Sequence, residues 1–272
     1  MMALGRANEP FSMPLTTLNA GTISVGNNAA LGTGALSMAT GTTLQAGASV
    51  TLSNSIGIAG TGTVLDTMAN TLTLNGALTG TSSFNKIGSG TLTFGSGLDT
   101  SGFTGGMTLQ QGTLSLQSNL AAAFGTIATT GASAVIDYGN GVANSAPIQI
   151  GNGSTQLQAL AGVTATQAGA ITETGGSRPL EKIGTGTLIF TGTNSYSGTT
   201  TITGGVLQIG NGGTSGTLGT GNVVDNAMLY FNRSDAITVG NAISGTGGLV
   251  QMGSGITTLS GTNGYLGATT IN

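Results

Sequence analysis

The amino-acid sequence predicts an all-β chain that folds as a right-handed parallel β-helix (a β-solenoid), with turns of about 20 residues. Three observations predict this fold class. Blocks of similar sequence recur along the chain, apolar and polar residues alternate with a period of two inside those blocks, and glycine-rich stretches separate them.

The recurring blocks combine two closely spaced glycines with a short alternating segment. They begin at Lys86, Lys182 and Gln251 and read KIGSGTLTF, KIGTGTLIF and QMGSGITTL. Their first glycines stand at positions 88, 184 and 253, so the second interval is shorter than the first. An aromatic residue in a small-residue turn follows each block: Phe103, Tyr196 and Tyr265. Self-similarity of this kind is typical of repeat architectures.

The alternation inside the blocks predicts strands with one buried face. Leu92 and Phe94 would point inward, while Thr91 and Thr93, which alternate with them, would point outward. Inward leucines recur from Leu92 to Leu114 and from Leu188 to Leu207, and both intervals are close to one predicted turn. This recurrence favours stacked turns over an antiparallel sandwich or barrel, which also contains short alternating strands.

Composition excludes several classes of protein. The chain has 272 residues, 51 of them glycine, only 5% charged residues, and no cysteine or histidine. A mean hydropathy of +0.27 and a net charge of −3 argue against disorder, and no apolar run is long enough for a membrane-spanning helix. The five cations are scattered, so the sequence predicts no nucleic-acid partner.

Residues 180–210, LEKIGTGTLIFTGTNSYSGTTTITGGVLQIG, resemble the autotransporter-associated β-strand repeat. The resemblance covers two strong copies and partial copies near each end of the chain. It implies export from a Gram-negative bacterium and an extracellular or cell-surface location. It also implies a passenger domain with a structural or adhesive role, either as a stalk or as a filament-forming segment.

The sequence predicts no enzyme, no catalytic residue, no metal and no cofactor. Without histidine a Ser–His–Asp triad cannot form, and without histidine and cysteine a zinc site is disfavoured. The Gly-Gly-x-Gly-x-Asp runs of calcium-binding solenoids are absent from the sequence. The alternative is a polysaccharide-active β-helix enzyme that uses paired carboxylates.

The acids closest in sequence are Glu173 with Glu181 and Asp225 with Asp235. Each pair would have to meet across neighbouring turns to serve an enzyme. The simpler interpretation is that these acids lie in solvated turns. Around Arg233, the sequence predicts a turn with side-chain-to-backbone hydrogen bonds, and an ion pair between Arg233 and Asp235 is the alternative.

Two positions recur in the copies of the repeat, an aromatic residue and a lysine. Phe103, Tyr196 and Tyr265 are either packed corner aromatics or an exposed row that binds a glycan or a neighbouring molecule. Lys86 and Lys182 share a repeat position, which indicates a common structural role. We expect them to face solvent and to discourage pairing at a sheet edge.

Two segments divide the chain. Residues 1–14 are expected to be a leader, a cap or a strand donor, and residues 15–272 the β-helix. The chain ends at Thr269–Asn272 in the phase in which the repeat begins at Thr16–Asn19. This match indicates either a fragment boundary that falls at a repeat edge or self-association through the solenoid ends. Contacts with a host or glycan surface are also expected.

Overall fold

The computed structural model describes residues 15–131, 134–151, 153 and 155–272, and the predicted cap or donor segment, residues 1–14, lies outside this range. The described residues form strands and turns, with no helix among them. The strands of the first half are β1 Thr16–Leu18, β2 Thr22–Val25, β3 Leu36–Met38, β4 Thr43–Ala46, β5 Val50–Leu52, β6 Ile56–Ile58, β7 Thr63–Asp66, β8 Thr71–Leu74, β9 Leu78–Thr79, β10 Phe84–Ile87, β11 Thr91–Phe94, β12 Met107–Leu109, β13 Thr113–Leu116, β14 Ile127–Thr129 and β15 Ala134–Tyr138. Those of the second half are β16 Ala143–Asn144, β17 Ile148–Ile150, β18 Thr155–Ala159, β19 Thr164–Gln167, β20 Ile171–Glu173, β21 Leu180–Ile183, β22 Thr187–Phe190, β23 Thr200–Ile202, β24 Val206–Ile209, β25 Val223–Asp225, β26 Met228–Phe231, β27 Ile237–Val239, β28 Ile243–Ser244, β29 Gly248–Gln251, β30 Thr257–Leu259 and β31 Thr269–Ile271.

Each strand pairs with the strand one turn away, and every such pair among the described residues is parallel. Leu72, Leu92, Leu114 and Ile136 stand in register on four successive turns. The result is a β-solenoid of about 12 turns with roughly 21 residues per turn. The predicted parallel β-helix is confirmed, and the antiparallel sandwich or barrel is excluded for these residues.

The core is a column of inward-facing side chains that runs along the solenoid axis. Leu92 and Phe94 are fully buried and the threonines that alternate with them, Thr91 and Thr93, are partly exposed, as the two-residue alternation predicts. Aromatic rings from neighbouring turns meet in this column, with ring centroids of Phe103 and Phe124 5.1 Å apart. Because no single turn can bury its apolar face alone, each turn depends on its neighbours for stability.

The three blocks of similar sequence lie on three different sheets. Strand β10, which holds Lys86, belongs to the eight-stranded sheet; β21, with Lys182, belongs to the ten-stranded sheet; and β29, with Gln251, belongs to the seven-stranded sheet. The intervals between successive blocks are not whole numbers of turns, so a block does not return to the side it started from. Each copy of the repeat is therefore rotated around the axis relative to the one before it.

Two sides of the stack lose their regular strands over two turns: one side does so between β9 and β16, and another does so near the C-terminal part. The eight-stranded sheet ends at β20, and the two following turns pass this side without a regular strand. Regular strand structure on this side begins again at β27, which in the described structure pairs only with β30. An exposed glycine-rich stretch, residues 211–215, leads outward at the interruption. These features open a cleft between neighbouring turns.

Across the described ranges, no helix has the length and apolar character that a membrane crossing would require.

Candidate functional site

The lysines at the repeated position are buried, which contradicts the expectation that they face solvent. Lys86 is 0% exposed and Lys182 is 1% exposed. Both side chains point into the solenoid because they lie two residues after a buried apolar residue, Phe84 or Leu180, on the same strand. The alternation that places those residues inside also places the lysines inside. That spacing was the available sequence signal for their burial.

Each buried ammonium group is surrounded by oxygen atoms of the adjoining turns. Lys86 Nζ donates to the carbonyl oxygens of Gly88 at 2.6 Å, Gly90 at 2.7 Å and Gln111 at 3.0 Å, and to Thr67 Oγ1 at 2.7 Å. Burying a charge is costly unless hydrogen bonds replace its hydration. The ring of acceptors meets that requirement and ties three turns together.

Lys182 repeats the arrangement one repeat later. Its Nζ donates to the carbonyl oxygens of Ile183, Gly184, Gly186 and Gly204 at 2.9–3.1 Å. We call this site and its counterpart around Lys86 the carbonyl cages. Burial lowers the pKa of both lysines to about 8, although the Asp66 carboxylate acts in the opposite direction on Lys86.

The third copy of the repeat fills its cage with a neutral side chain. Gln251 Nε2 donates to the carbonyl oxygens of Gly253 and Gly255, both at 2.8 Å. These are the same two glycine positions that accept from the lysines in the other copies. A hydrogen-bond donor at this position is therefore the shared feature, and a positive charge is not required.

The repeated aromatics do not form an exposed row. Phe103 and Tyr196 are fully buried, so the contact hypothesis is wrong for these two residues, and the packed-corner interpretation holds for them. Tyr265 occupies the same position but is half-buried, because no further turn of the described structure covers it. The hydroxyl of Tyr196 bonds Thr200 Oγ1 at 2.8 Å, and that of Tyr265 bonds Thr269 Oγ1 at 2.6 Å.

The acid pairs considered for an enzyme have separate partners. Glu173 accepts from Ser197 Oγ at 2.6 Å, and Glu181 accepts from Gln156 Nε2 at 2.8 Å. Burial tends to raise the pKa of Glu173, but hydrogen bonds from Ser197 and Arg178 outweigh it and lower the pKa. Within the described ranges, no group of three or more acidic side chains is arranged to hold a metal ion.

Arg233 and Asp235 form the ion pair that the sequence left as an alternative. Arg233 Nε and Nη2 bind the two carboxylate oxygens at 2.8 and 2.7 Å, and Nη1 donates to the carbonyl oxygen of Gly216. The side chains are 8% and 37% exposed, respectively. The hydrogen bond from Arg233 holds the pKa of Asp235 below its usual value. This two-point contact fixes both groups.

The ion pair stands at the wall of the cleft beside β27. The cleft has a volume of about 630 Å³ and extends over three turns, from Asn194 through Leu218 to Val239 and Asn241. Its floor is apolar, and amides and threonine hydroxyls surround it. Sequence reasoning missed this cleft. The signal for it was the NGGTSG stretch, which lengthens one turn at residues 211–216.

The stacked turns and their repeated carbonyl cages define a β-solenoid built from tandem repeats. A family model described as the passenger-associated-transport-repeat matches residues 84–116, 180–209 and 249–272. Each match begins two residues before the side chain that fills a cage. The chain therefore carries three of these repeats, which confirms the resemblance to the autotransporter-associated repeat.

A curated relative is similar over part of the chain. It is described as "Adhesin BmaC autotransporter" from Brucella suis biovar 1 (strain 1330), and is 47% identical over 83 residues. The matched stretch is 30% of this chain and 2% of the relative, so the chain spans a small fraction of that protein. No solved structure matches the chain.

Proposed function

We propose that this chain is a rod-like segment of an autotransporter passenger, displayed outside a Gram-negative cell with a structural or adhesive role. The observation that carries the proposal is the occurrence of three passenger repeats in one stack of parallel turns. The similarity to an autotransporter adhesin supports the adhesive part of the role. Stacked turns hold a binding surface away from the cell, as extended solenoids do.

The polysaccharide-active enzyme is the weaker alternative. Such enzymes use two carboxylates that flank the bond to be broken. The cleft is lined by one carboxylate, that of Asp235, and this group is already bound at both oxygens by Arg233. Glu173 and Glu181 lie outside its lining. We therefore propose a role without catalysis.

Surface display tests the proposal. The chain would be inserted between the signal sequence and the membrane anchor of an autotransporter that lacks its own passenger. We expect intact cells to expose the insert to added protease and to adhere to a host-cell layer more than cells carrying the empty anchor. An insert that remains protected from protease would contradict the proposal of surface display, and adherence at the control level would contradict the adhesive role and leave the structural one.

We further propose that the solenoid associates end to end. Ile271 stacks one turn after Gln251, as Ile202 follows Lys182 and Leu109 follows Lys86. Ile202 and Leu109 are fully buried, but Ile271 is 79% exposed. A further turn would cover it, whether it comes from the same polypeptide or from a second copy.

Electron microscopy at raised protein concentration tests this association. Filaments or rods of several unit lengths are expected, and Ile271→Lys should shorten them because it places a charge at the contact. The matched control is Thr270→Lys, at the neighbouring exposed residue whose side chain points to the opposite face of β31. Dispersed single rods at every concentration would refute end-to-end association.

A further inference from the structure

We propose that the cleft beside β27 binds an uncharged saccharide. This inference rests on the adhesive function proposed above and assigns it a site. The cleft volume of about 630 Å³ lies in the range of pockets that hold small ligands. The cleft arises where a sheet is interrupted, as also happens after the first copy of the repeat, and where the turn at residues 211–216 is lengthened, which the first copy does not share.

The floor of the cleft provides apolar contact. Leu218, Phe231 and Val239 line it and are themselves almost completely buried, so they form a fixed surface. A sugar ring has apolar C–H faces as well as hydroxyl groups. An apolar floor under a polar rim therefore suits a sugar better than it suits an ion or a purely apolar molecule.

The polar rim is held rigidly before any ligand arrives. Asn194 accepts from the backbone N–H of Ile171 at 2.8 Å and donates to the carbonyl oxygen of Thr217 at 2.7 Å. Asn241 donates to the carbonyl oxygens of Gly219 and Gly221. Groups fixed in this way lose little conformational freedom on binding, which favours affinity for a small polar ligand.

Charge balance favours a neutral ligand. Arg233 and Asp235 are the charged residues of the lining, and they neutralise each other through two hydrogen bonds. An anionic ligand would have to compete with Asp235 for the guanidinium group. A cationic ligand would have to compete with Arg233 for the carboxylate. An uncharged polyol can bond to both groups without breaking the pair.

The edge of β27 offers a second set of bonding groups. In the described structure this strand pairs with β30 on one side, and its other edge faces the cleft. An extended peptide could also add to such an edge. The strand has only three residues, however, and the rim groups converge from three turns, so the geometry favours a compact ligand.

Ligand-observed nuclear magnetic resonance on the full chain tests the proposal. The probes are the neutral disaccharides lactose, maltose, cellobiose, mannobiose and chitobiose. An anionic heparin disaccharide and a blocked tetrapeptide of alternating threonine and valine are the comparison ligands. We expect saturation transfer to at least one neutral disaccharide, and none to the anionic disaccharide or the peptide.

A matched pair of variants locates the site. Thr238 lies on β27 in the cleft lining, and Thr258 is its in-register partner on β30, outside the lining. Both are exposed, so tryptophan at either position leaves the core untouched. Thr238→Trp should weaken disaccharide binding at least tenfold, whereas Thr258→Trp should leave it unchanged. Circular dichroism verifies that both variants fold.

The following outcomes would overturn the saccharide site: no neutral disaccharide binds at millimolar concentration, the peptide or the anionic sugar binds as well as the neutral disaccharides do, or both variants bind as well as the parent chain. Equal loss in both variants would also overturn it. The proposed function is tested separately by cell adherence. If the displayed chain adheres but no disaccharide binds, the saccharide site fails and the passenger role stands.

Discussion

At the scale of single residues, the two buried lysines show how a polar group can organise a solenoid corner. The ammonium group of Lys182 has three protons, and four carbonyl oxygens on two turns surround it. An apolar side chain in its place would remove this donor. The carbonyl of Gly186 would keep its bond from the backbone N–H of Val206, but each buried carbonyl left without a partner costs about 1–3 kcal/mol. The third copy, with Gln251, demonstrates that an amide can supply part of the same bonding.

This contrast predicts different outcomes for two substitutions of similar size. Lys182→Met should lower the free energy of unfolding by about 3 kcal/mol, because it removes the donor from the cage. Lys182→Gln should cost less than half as much, since glutamine can bond the two glycine carbonyls. Urea unfolding followed by circular dichroism measures both values. Equal losses in the two variants would show that the cage does not stabilise the corner by hydrogen bonding.

The glycines of the cage are required for conformation as well as for close approach. Gly184 has a φ of +76°, and a Cβ there would lie 2.3 Å from the carbonyl oxygen of Ala159. Gly184→Ala should therefore destabilise the fold by about 2 kcal/mol or more. The control is Gly213→Ala, where a Cβ meets open space, and its effect should be within about 0.5 kcal/mol. Thermal unfolding of both variants provides the comparison.

At the scale of elements, alternation and recurrence made the strands and their stacking predictable. The predicted pairs Leu92 with Leu114 and Leu188 with Leu207 are neighbours in the structure. The same rule applied to Phe84 and Leu180 would have placed the lysines inside. The general rule that lysine side chains are exposed predicts the opposite, and for these two lysines the alternation along the strand is the rule that holds. The cleft was harder to predict from the sequence, because a lengthened turn does not reveal whether its additional residues fill a gap between turns or open one.

Buried titratable groups on the strands predict an unusual dependence of stability on pH. Lys86 and Lys182 have a pKa of about 8 in the folded chain and 10.5 in the unfolded chain. Between these values the unfolded chain holds more protons, so stability should rise with pH. Above pH 10 the sign reverses. Burial raises the pKa of Tyr196 to about 12, and the pKa of Tyr138 is raised as well. Above pH 10 both tyrosines lose their protons at a lower pH in the unfolded chain than in the folded chain, so the free energy of unfolding falls as the pH rises further.

Urea midpoints measured from pH 7 to pH 11 check this profile. We expect a maximum near pH 10 for the parent chain. The control is the double variant Lys86→Gln and Lys182→Gln, which removes the titrating amines. Its stability should not rise between pH 8 and pH 10. A parent profile that falls steadily over this range would contradict the assigned pKa shifts.

At the scale of the whole molecule, stability depends on contacts between successive turns. Contacts between neighbouring turns join residues that are about 21 positions apart in the sequence. The fold therefore behaves as a one-dimensional array in which each turn is stabilised by the two beside it. Such an array can lose a complete turn and still form its remaining contacts, but it cannot lose half a turn without shifting every strand onto the wrong face.

Two deletions test this modular character. Leu44 and Leu65 stand in register on adjacent turns, so removal of residues 44–64 joins Thr43 directly to Leu65 and keeps the stacking. Removal of residues 44–54 takes out about half a turn. The first deletion should leave a cooperative thermal transition, and the second should abolish it or lower its midpoint by more than about 10 °C. Similar behaviour of the two would argue against in-register stacking.

The rotation of the repeats around the axis has a consequence for recognition. Copies on three different sheets present their outer surfaces in three directions. Because the copies face different directions, a partner that approaches the solenoid from any side meets the outer surface of one of them. If each copy contributes even a weak contact, simultaneous engagement with a curved or surrounding partner would multiply the overall affinity without any change in the individual contacts.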